Sequence, residues 1–138
     1  RGERFESAVL HKRRIWSKIQ VRFFCYIITN NYICHMKLIE MNIDKIIALC
    51  KKYNVAKLWV FGSILTPRFN DDSDVDFSVN FDDETIRREG LDWADIFFDF
   101  MHELESLFGR RIDIVCDDAV KNNYFRAELD RTKKLIYG

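Results

Sequence analysis

The stretch at residues 56–81, AKLWVFGSILTPRFNDDSDVDFSVNF, decides the fold of this chain. Residues 56–61 form a continuous β-prone run, which predicts a strand buried on both faces. Residues 74–81 alternate strictly between polar and apolar side chains, which predicts a second strand with one buried face and one polar face. Gly62 and Ser63 end the first strand, and residues 64–73, with a proline and a cluster of acids, are typical of a loop with room for one helical turn.

Two amphipathic helices are predicted around these strands. Residues 43–53 carry apolar side chains at helical spacing, and Asn42 is placed to cap that helix. Residues 82–90 indicate a charged link, and residues 91–108 predict a second helix that Gly109 ends. We expect the buried stripe of the second helix to consist of Leu91, Ala94, Phe97, Phe98, Met101, Leu104 and Phe108.

The last part of the chain completes a small sheet. Residues 111–116 predict a third strand, with Asp113 on its polar face. Asp117 or Asp118 is placed to cap a following helix, and residues 134–137 predict a short closing strand. The predicted fold class is therefore α+β: a small mixed β-sheet that carries its acids on one face, with helices packed on the other.

Charge is unevenly distributed along the chain. The 138 residues have the size of one domain, and 22 basic and 22 acidic residues give a formal net charge of zero. Residues 1–35 are basic and residues 36–138 are acidic, so we do not expect strong nucleic-acid binding by the domain. We interpret 1–35 as an extension, inert or non-native, with a basic arm for nucleic acid or membrane as the alternative. Met36 and Met41 are both candidate starts of the domain.

Neither secretion nor membrane insertion is indicated. Cys25, Cys34, Cys50 and Cys116 form no CxxC pair, which argues against a zinc knuckle. The longest apolar run near the N-terminus, at 23–29, is far shorter than the ~20 residues that span a bilayer. No secretory signal is visible, so we expect free thiols in a reducing cytoplasm and no membrane partner.

The acids of the second strand predict a metal site. Asp74 and Asp76 share one face of the strand, about 6.6 Å apart along it, and a divalent cation would relieve the repulsion between their carboxylates. Asp113, on a later strand, would add a third carboxylate. Oxygen ligands of this kind suit Mg²⁺, whose shell substrate phosphates and water would complete. Two such ions would activate an attacking hydroxyl and stabilise the leaving oxygens of an in-line displacement.

Gly62 and Ser63 indicate a phosphate site beside these acids. Glycine directly after a strand lets the backbone approach a ligand closely. Free N–H groups at the start of a turn attract phosphate, and the Ser63 hydroxyl could donate to it. The alternative is that Ser63 only caps the turn.

Together these residues resemble the signature of the DNA polymerase β-like nucleotidyltransferase superfamily. That signature is Gly-Ser, a spacer, Asp-x-Asp and a later acid on a strand; here it consists of Gly62, Ser63, Asp74, Asp76 and Asp113. The resemblance runs from about residue 42 to the C-terminus and is closest to the minimal nucleotidyltransferases. Proteins of that group are often encoded beside a HEPN-type partner as its antitoxin.

The resemblance implies a nucleotidyltransferase domain at 36–138 that uses two Mg²⁺ ions, replaceable by Mn²⁺, and a nucleoside triphosphate, ATP. Asp74 and Asp76 would hold both ions. Asp113 would hold the catalytic ion and help to deprotonate the acceptor.

The resemblance further implies that Gly62 and Ser63 grip the terminal phosphates. Many relatives carry arginine directly after Gly-Ser, where this chain has Ile64, so Arg68 is the candidate substitute for that phosphate contact.

The implied activity is transfer of AMP from ATP to a hydroxyl, with a tyrosine of a HEPN-type toxin as the acceptor. The alternative is a non-catalytic antitoxin that neutralises its partner by contact. A nucleic-acid polymerase is disfavoured because the acidic domain offers no basic groove, and homo-oligomerisation is left open. Asp74 and Asp76 could instead be solvated acids, and Asp113 could be a structural acid paired with Arg110 or Arg111.

Overall fold

The computed structural model describes residues 35–138. The remainder of the proposed N-terminal extension, residues 1–34, lies outside the described residues. In chain order the elements are α1 (helical over 35–40), α2 (Ile43–Lys52), β1 (Val55–Phe61), a first 3-10 helix (Gly62–Leu65), β2 (Val75–Phe81), α3 (Asp83–Arg88), α4 (Trp93–Phe108), β3 (Ile112–Cys116), a second 3-10 helix (Asp117–Ala119), α5 (Asn123–Thr132) and β4 (Lys134–Tyr137).

The four strands form one mixed sheet in the order β3-β2-β1-β4. Strand β1 pairs antiparallel with both β2 and β4, whereas β2 and β3 run parallel. The parallel pair brings Asp76 directly opposite Asp113. The predicted α+β fold with a small mixed sheet is therefore confirmed, and the closing strand lies where the sequence placed it.

One face of the sheet forms the hydrophobic core. Leu58 and Val60 of β1, with Phe77 and Val79 of β2, are fully buried on this face. Helix α2 packs on β1, and α4 packs on β3 and on α2. The opposite face carries the side chains that alternate with these, so the sheet separates an apolar side from a polar one.

The composition of β1 predicted a strand buried on both faces, and this prediction is wrong. Ala56 and Lys57 are exposed, and Trp59 is partly covered by Lys133, whose Nζ lies 4.5 Å from the centre of the indole ring. The apolar run contains a lysine because only one of its faces meets the core.

Helix α4 is rotated from the predicted phase. Its buried residues are Ile96, Phe100, Leu104 and Phe108, at intervals of one turn. Leu104 and Phe108 were predicted correctly, but Leu91 and Phe98 are 44% and 52% exposed. Because aromatic residues occupy positions 97, 98 and 100, two adjacent faces of the helix are similarly hydrophobic in the sequence. Phe100 decides between them because its ring packs against Tyr53 and Phe81.

The helix ends also differ in part from prediction. Asn42 precedes α2 but does not cap it, because its side-chain amide donates to the Leu38 carbonyl at 2.9 Å. The expected charged link contains α3, which Asp82 caps by accepting the backbone N–H and the hydroxyl of Thr85. Asp117 and Asp118 lie in a 3-10 helix, and Asn122 caps α5.

The described residues also bear on the expectations of free thiols and of no membrane span. Cys50 and Cys116 are free thiols, and Cys25 and Cys34 lie outside the described residues. Burial raises the pKa of the Cys50 thiol to about 12. Within residues 35–138, none of the helices combines the length and the apolar character that a membrane span requires.

Helix α1 belongs to the core. Ile39 is 1% exposed, and Met36 and Leu38 pack against the buried cluster. The His35 ring lies 5.0 Å from the ring of Phe69, in the loop that follows β1, at a tilt of 59°. Met41 is therefore a poor start for the folded domain, because a chain that begins there lacks Ile39.

We predict that a chain starting at Met36 unfolds at the temperature of the full chain, whereas a chain starting at Met41 unfolds at a lower temperature. Ile39→Ala in the full chain should cost about 3 kcal/mol, the usual loss for a buried isoleucine truncated to alanine. Thermal and urea unfolding measure both effects. Glu40→Ala, at an exposed position of the same helix, is the control and should change little. Equal stability of the two truncated chains would contradict this assignment of α1 to the core.

Candidate functional site

Three carboxylates meet on the polar face of the sheet. Asp76 of β2 and Asp113 of β3 are register partners in a parallel pair, so their side chains leave the same face from Cα atoms about 4.8 Å apart. Asp74 directly precedes β2, and its charge acts on Asp76. The three acids that the sequence singled out are thus neighbours in the fold.

The turn after β1 lies directly against Asp76. Gly62 has φ +75°, and a Cβ atom there would overlap the carboxylate oxygen Oδ2 of Asp76 and lie 2.9 Å from its Cγ. The backbone N–H of Ser63 donates to the Asp76 carboxylate. Glycine is required at 62 both for its backbone conformation and for this close approach.

This contact changes the expected role of Ser63. Its N–H faces the Asp76 carboxylate and favours the charge there. No residue between 35 and 138 forms a hydrogen bond with the Ser63 hydroxyl, whereas the Ser63 carbonyl accepts from the backbone N–H and the hydroxyl of Thr66. The hydroxyl is therefore the group of Ser63 that can meet a ligand.

The pKa of Asp76 is raised above its ordinary value. Burial is the largest cause, followed by the negative charges of Asp113 and Asp74, and the hydrogen bond from Ser63 opposes them only in part. The ionised form of Asp76 is thus stabilised less than it would be in water. A bound cation would reverse this balance.

The acids do not by themselves form a closed metal site. Among residues 35–138, no group of three or more His, Cys, Asp or Glu side chains is gathered as ligands around one point. Their chemistry nevertheless fits a hard divalent cation, because they are oxygen donors whose mutual repulsion such an ion would relieve. Asp113 is exposed, which leaves room for substrate oxygens and water in the ion's shell. The two Mg²⁺ ions stay a prediction.

Arg68 lies on the loop after the Gly-Ser turn and is exposed. No hydrogen bond or ion pair to its guanidinium comes from the described part of the chain, and only its backbone takes part in the loop, through Thr66 and Asn70. The structure does not bring Arg68 into contact with the acids, so its role toward phosphate stays a prediction.

Arg110 holds this loop in place. Its Nη1 donates to the carbonyl oxygens of Asn70 at 3.2 Å and Ser73 at 3.0 Å, and its guanidinium lies 4.9 Å from the centre of the Phe69 ring. Arg110 is therefore not the structural partner of Asp113 that the sequence left open. It instead fixes the segment that leads into Asp74.

The sequence analysis predicted Asp117 only as a possible helix cap and missed its role on the polar face of the sheet. It is buried, and its carboxylate accepts from the Ser78 hydroxyl at 2.8 Å, from Arg126 at 2.9 Å and from Lys133 at 2.7 Å. Burial alone would raise the pKa of Asp117, but the hydrogen bonds from Lys133, Ser78 and Arg126 outweigh burial and lower it. Asp117 thereby attaches α5 to the polar face of the sheet.

A cleft of about 460 Å³ opens beside Gly62, between the first 3-10 helix and α5. Its lining is mostly apolar and comprises Phe61, Gly62, Leu65, Thr66, Phe125, Glu128, Leu129, Thr132 and Lys134. The rings of Phe61 and Phe125 meet edge to face at 6.1 Å. Gly62 therefore lies between the cleft and the acids and contacts both.

Comparison with known families gives a clear match. The family model of polymerase beta nucleotidyltransferases matches residues 44–138, which is most of the chain and all of the sheet. The comparison with curated proteins found no match.

Several solved structures share the fold. A structure described as a minimal nucleotidyltransferase is 24% identical with a TM-score of 0.56, over 71% of this chain and 92% of that one. A toxin–antitoxin structure with AMP-PNP is 21% identical with a TM-score of 0.55, over 70% of this chain and 73% of that one. The toxin–antitoxin MntA-HepT structure is 20% identical with a TM-score of 0.50, over 72% of each chain. At these identities the likeness establishes the fold.

We predict that Asp76→Asn raises the unfolding temperature of the metal-free protein at neutral pH. The substitution removes a desolvated charge and its repulsion by Asp74 and Asp113, and it keeps an oxygen that can accept from Ser63. Differential scanning calorimetry measures the change. Asp99→Asn, at an exposed position of α4, is the matched control and should have little effect. A lower unfolding temperature for Asp76→Asn would show that its charge stabilises the fold.

A second prediction concerns Asp117. Asp117→Asn should destabilise the protein by about 3 kcal/mol at pH 7, because it leaves Lys133 and Arg126 without their buried counter-charge. The pKa of Asp117 in the folded protein lies below the ordinary value for an aspartate, about 3.9. The stabilisation is therefore present above that ordinary value and is lost as pH falls through the folded-state pKa. Urea unfolding at pH 7 and at pH 3 should show a difference between wild type and variant that narrows at pH 3. A difference that widens in acid would contradict this.

Proposed function

Because the chain belongs to the polymerase beta nucleotidyltransferase family, we propose that it transfers AMP from ATP to a hydroxyl group in a Mg²⁺-dependent reaction. The observation that carries the proposal is the pairing of Asp76 with Asp113 on the polar face, with Gly62 packed against the Asp76 carboxylate. This arrangement sets the Gly-Ser turn, which we propose binds phosphate, beside a cluster of oxygen donors, as phosphoryl transfer requires.

Each residue of the site has a proposed task. Asp74 and Asp76 bind the metal, and Asp113 binds it and accepts the proton of the acceptor hydroxyl. Bound Mg²⁺ would neutralise the triphosphate and lower the pKa of the acceptor. Gly62 and Ser63 hold the terminal phosphates, with the Ser63 hydroxyl as a donor, because that hydroxyl bonds no residue between 35 and 138.

The phosphate end of the substrate also needs a cation from the protein. Arg68 is our candidate, since it is exposed on the loop that follows the Gly-Ser turn and makes no side-chain bond within the described residues. Its guanidinium would have to turn toward Ser63 on substrate binding.

The proposed acceptor is a tyrosine of a HEPN-type toxin, for which this chain would be the antitoxin. Two supports are available. Asp113 is exposed on β3, an edge strand, so a large partner can reach it from outside the sheet. Two of the structures that share the fold are described as toxin–antitoxin structures, and one of them contains AMP-PNP.

A second candidate function is neutralisation of the same partner by contact alone. It is favoured by one observation: the buried Ile64 follows Ser63 where many relatives carry an arginine that would bind phosphate. The two functions differ in whether the acids are needed for neutralisation.

We predict that incubation with the partner, ATP and Mg²⁺ adds the mass of AMP to the partner and releases pyrophosphate in step. Asp113→Asn should abolish the mass shift, because it removes a metal ligand and the proton acceptor. Intact-protein mass spectrometry of the partner, with a pyrophosphate assay, measures both products.

The matched control is Asp99→Asn, which removes a carboxylate on the exposed side of α4 and should leave the transfer intact. The contact mechanism would be correct if the partner were neutralised with no change in mass and Asp113→Asn neutralised it equally well.

A further inference from the structure

We infer that the cleft between the first 3-10 helix and α5 binds the nucleoside of the nucleotide substrate, an inference that rests on the proposed function. Gly62 borders both places, since one side of it meets Asp76 and the other lines the cleft. A triphosphate held at Ser63 and the acids therefore has the cleft as the adjoining concave surface for its nucleoside.

The lining of the cleft suits a base. Its size of about 460 Å³ falls within the ~300–1,000 Å³ of small-molecule sites. Leu65 and Leu129 contribute aliphatic surface, and the Phe125 side chain is 39% exposed beside Phe61. Every base has a π-face, so an exposed aromatic ring gives it a contact that needs no hydrogen bond.

The polar groups of the cleft are compatible with an anionic nucleotide. Glu128 is the one acid in the lining, and Arg131 neutralises it through hydrogen bonds of 2.6 and 3.1 Å. Lys134 adds a positive charge to the same lining. The hydroxyl of Thr132 donates to the Glu128 carbonyl and still offers its oxygen as an acceptor for a ribose hydroxyl.

One wall of the cleft is held firmly against the sheet. Helix α5 carries Phe125 and Leu129, and it is attached through the bond of Arg126 to Asp117 and through Lys133 at its C-terminal end. The wall is therefore formed before any ligand arrives, which lowers the entropic cost of binding. With the nucleoside in this cleft, the β3 side of the sheet, where Asp113 is exposed, stays open to the acceptor.

The experiment compares two ligands with three linked phosphate groups, of which only one carries a nucleoside. Calorimetry with Mn²⁺ measures the binding of AMP-PNP and of inorganic tripolyphosphate to the full chain. Phe125→Ala should weaken AMP-PNP binding about tenfold, as expected for the loss of one base–aromatic contact, and leave tripolyphosphate binding unchanged. Thr132→Trp, which fills the cleft with an indole ring, should have the same selective effect even if Phe125→Ala perturbs the fold.

Phe98→Ala is the matched control, because Phe98 is an exposed aromatic on α4 and lies outside the cleft lining. It should leave both affinities unchanged. If both cleft variants bind AMP-PNP as tightly as wild type while tripolyphosphate still binds, the nucleoside lies elsewhere and the proposed function stands. If wild type binds neither ligand in the presence of Mn²⁺, the proposed function fails and this inference fails with it.

Discussion

The contact between the bare Cα of Gly62 and the carboxylate of Asp76 is the constraint on which the site depends. It exists because β1 and β2 pair antiparallel, which sets Phe61, at the end of β1, opposite Asp76 near the start of β2. The Ser63 N–H then favours the charged form of that carboxylate. The parallel pairing of β2 with β3 adds Asp113 on the same face. Sheet register, rather than any local motif, therefore assembles the acids and the Gly-Ser turn.

The second organising contact lies further along the same face. Ser78 follows Asp76 on the polar side of β2, and its hydroxyl meets Asp117, the residue to which Arg126 and Lys133 bind. A single carboxylate thus connects the middle of the sheet to both ends of α5. Burying this charge is tolerated because several donors surround it, and they lower its pKa despite the loss of solvent.

Sequence reasoning succeeded where periodicity is strict and local. The alternation over residues 74–81 was sufficient to predict a polar face, and hence to place Asp76 and Ser78 on it. It failed where three aromatic residues of α4 lie almost side by side, since the packing of Phe100 on Tyr53 and Phe81 fixes the helix phase. The role of Asp117 was not predictable, because Ser78 lies 39 positions from it in the chain. Helix α3 could have been found from the spacing of Asp82 and Thr85, a capping signal at its start.

Helices α4 and α5 are attached to the sheet by different kinds of interaction. Helix α4 buries Ile96, Phe100, Leu104 and Phe108, whereas Leu129 is the buried residue of α5. Helix α5 is held mainly by charges, and its outer pairs with Asp130 are half exposed. Ionic strength screens the exposed pairs to Asp130, whereas the pairs to the buried Asp117 are screened much less. Salt therefore weakens the outer pairs of α5 and leaves its inner attachment to the sheet, through Asp117, largely intact.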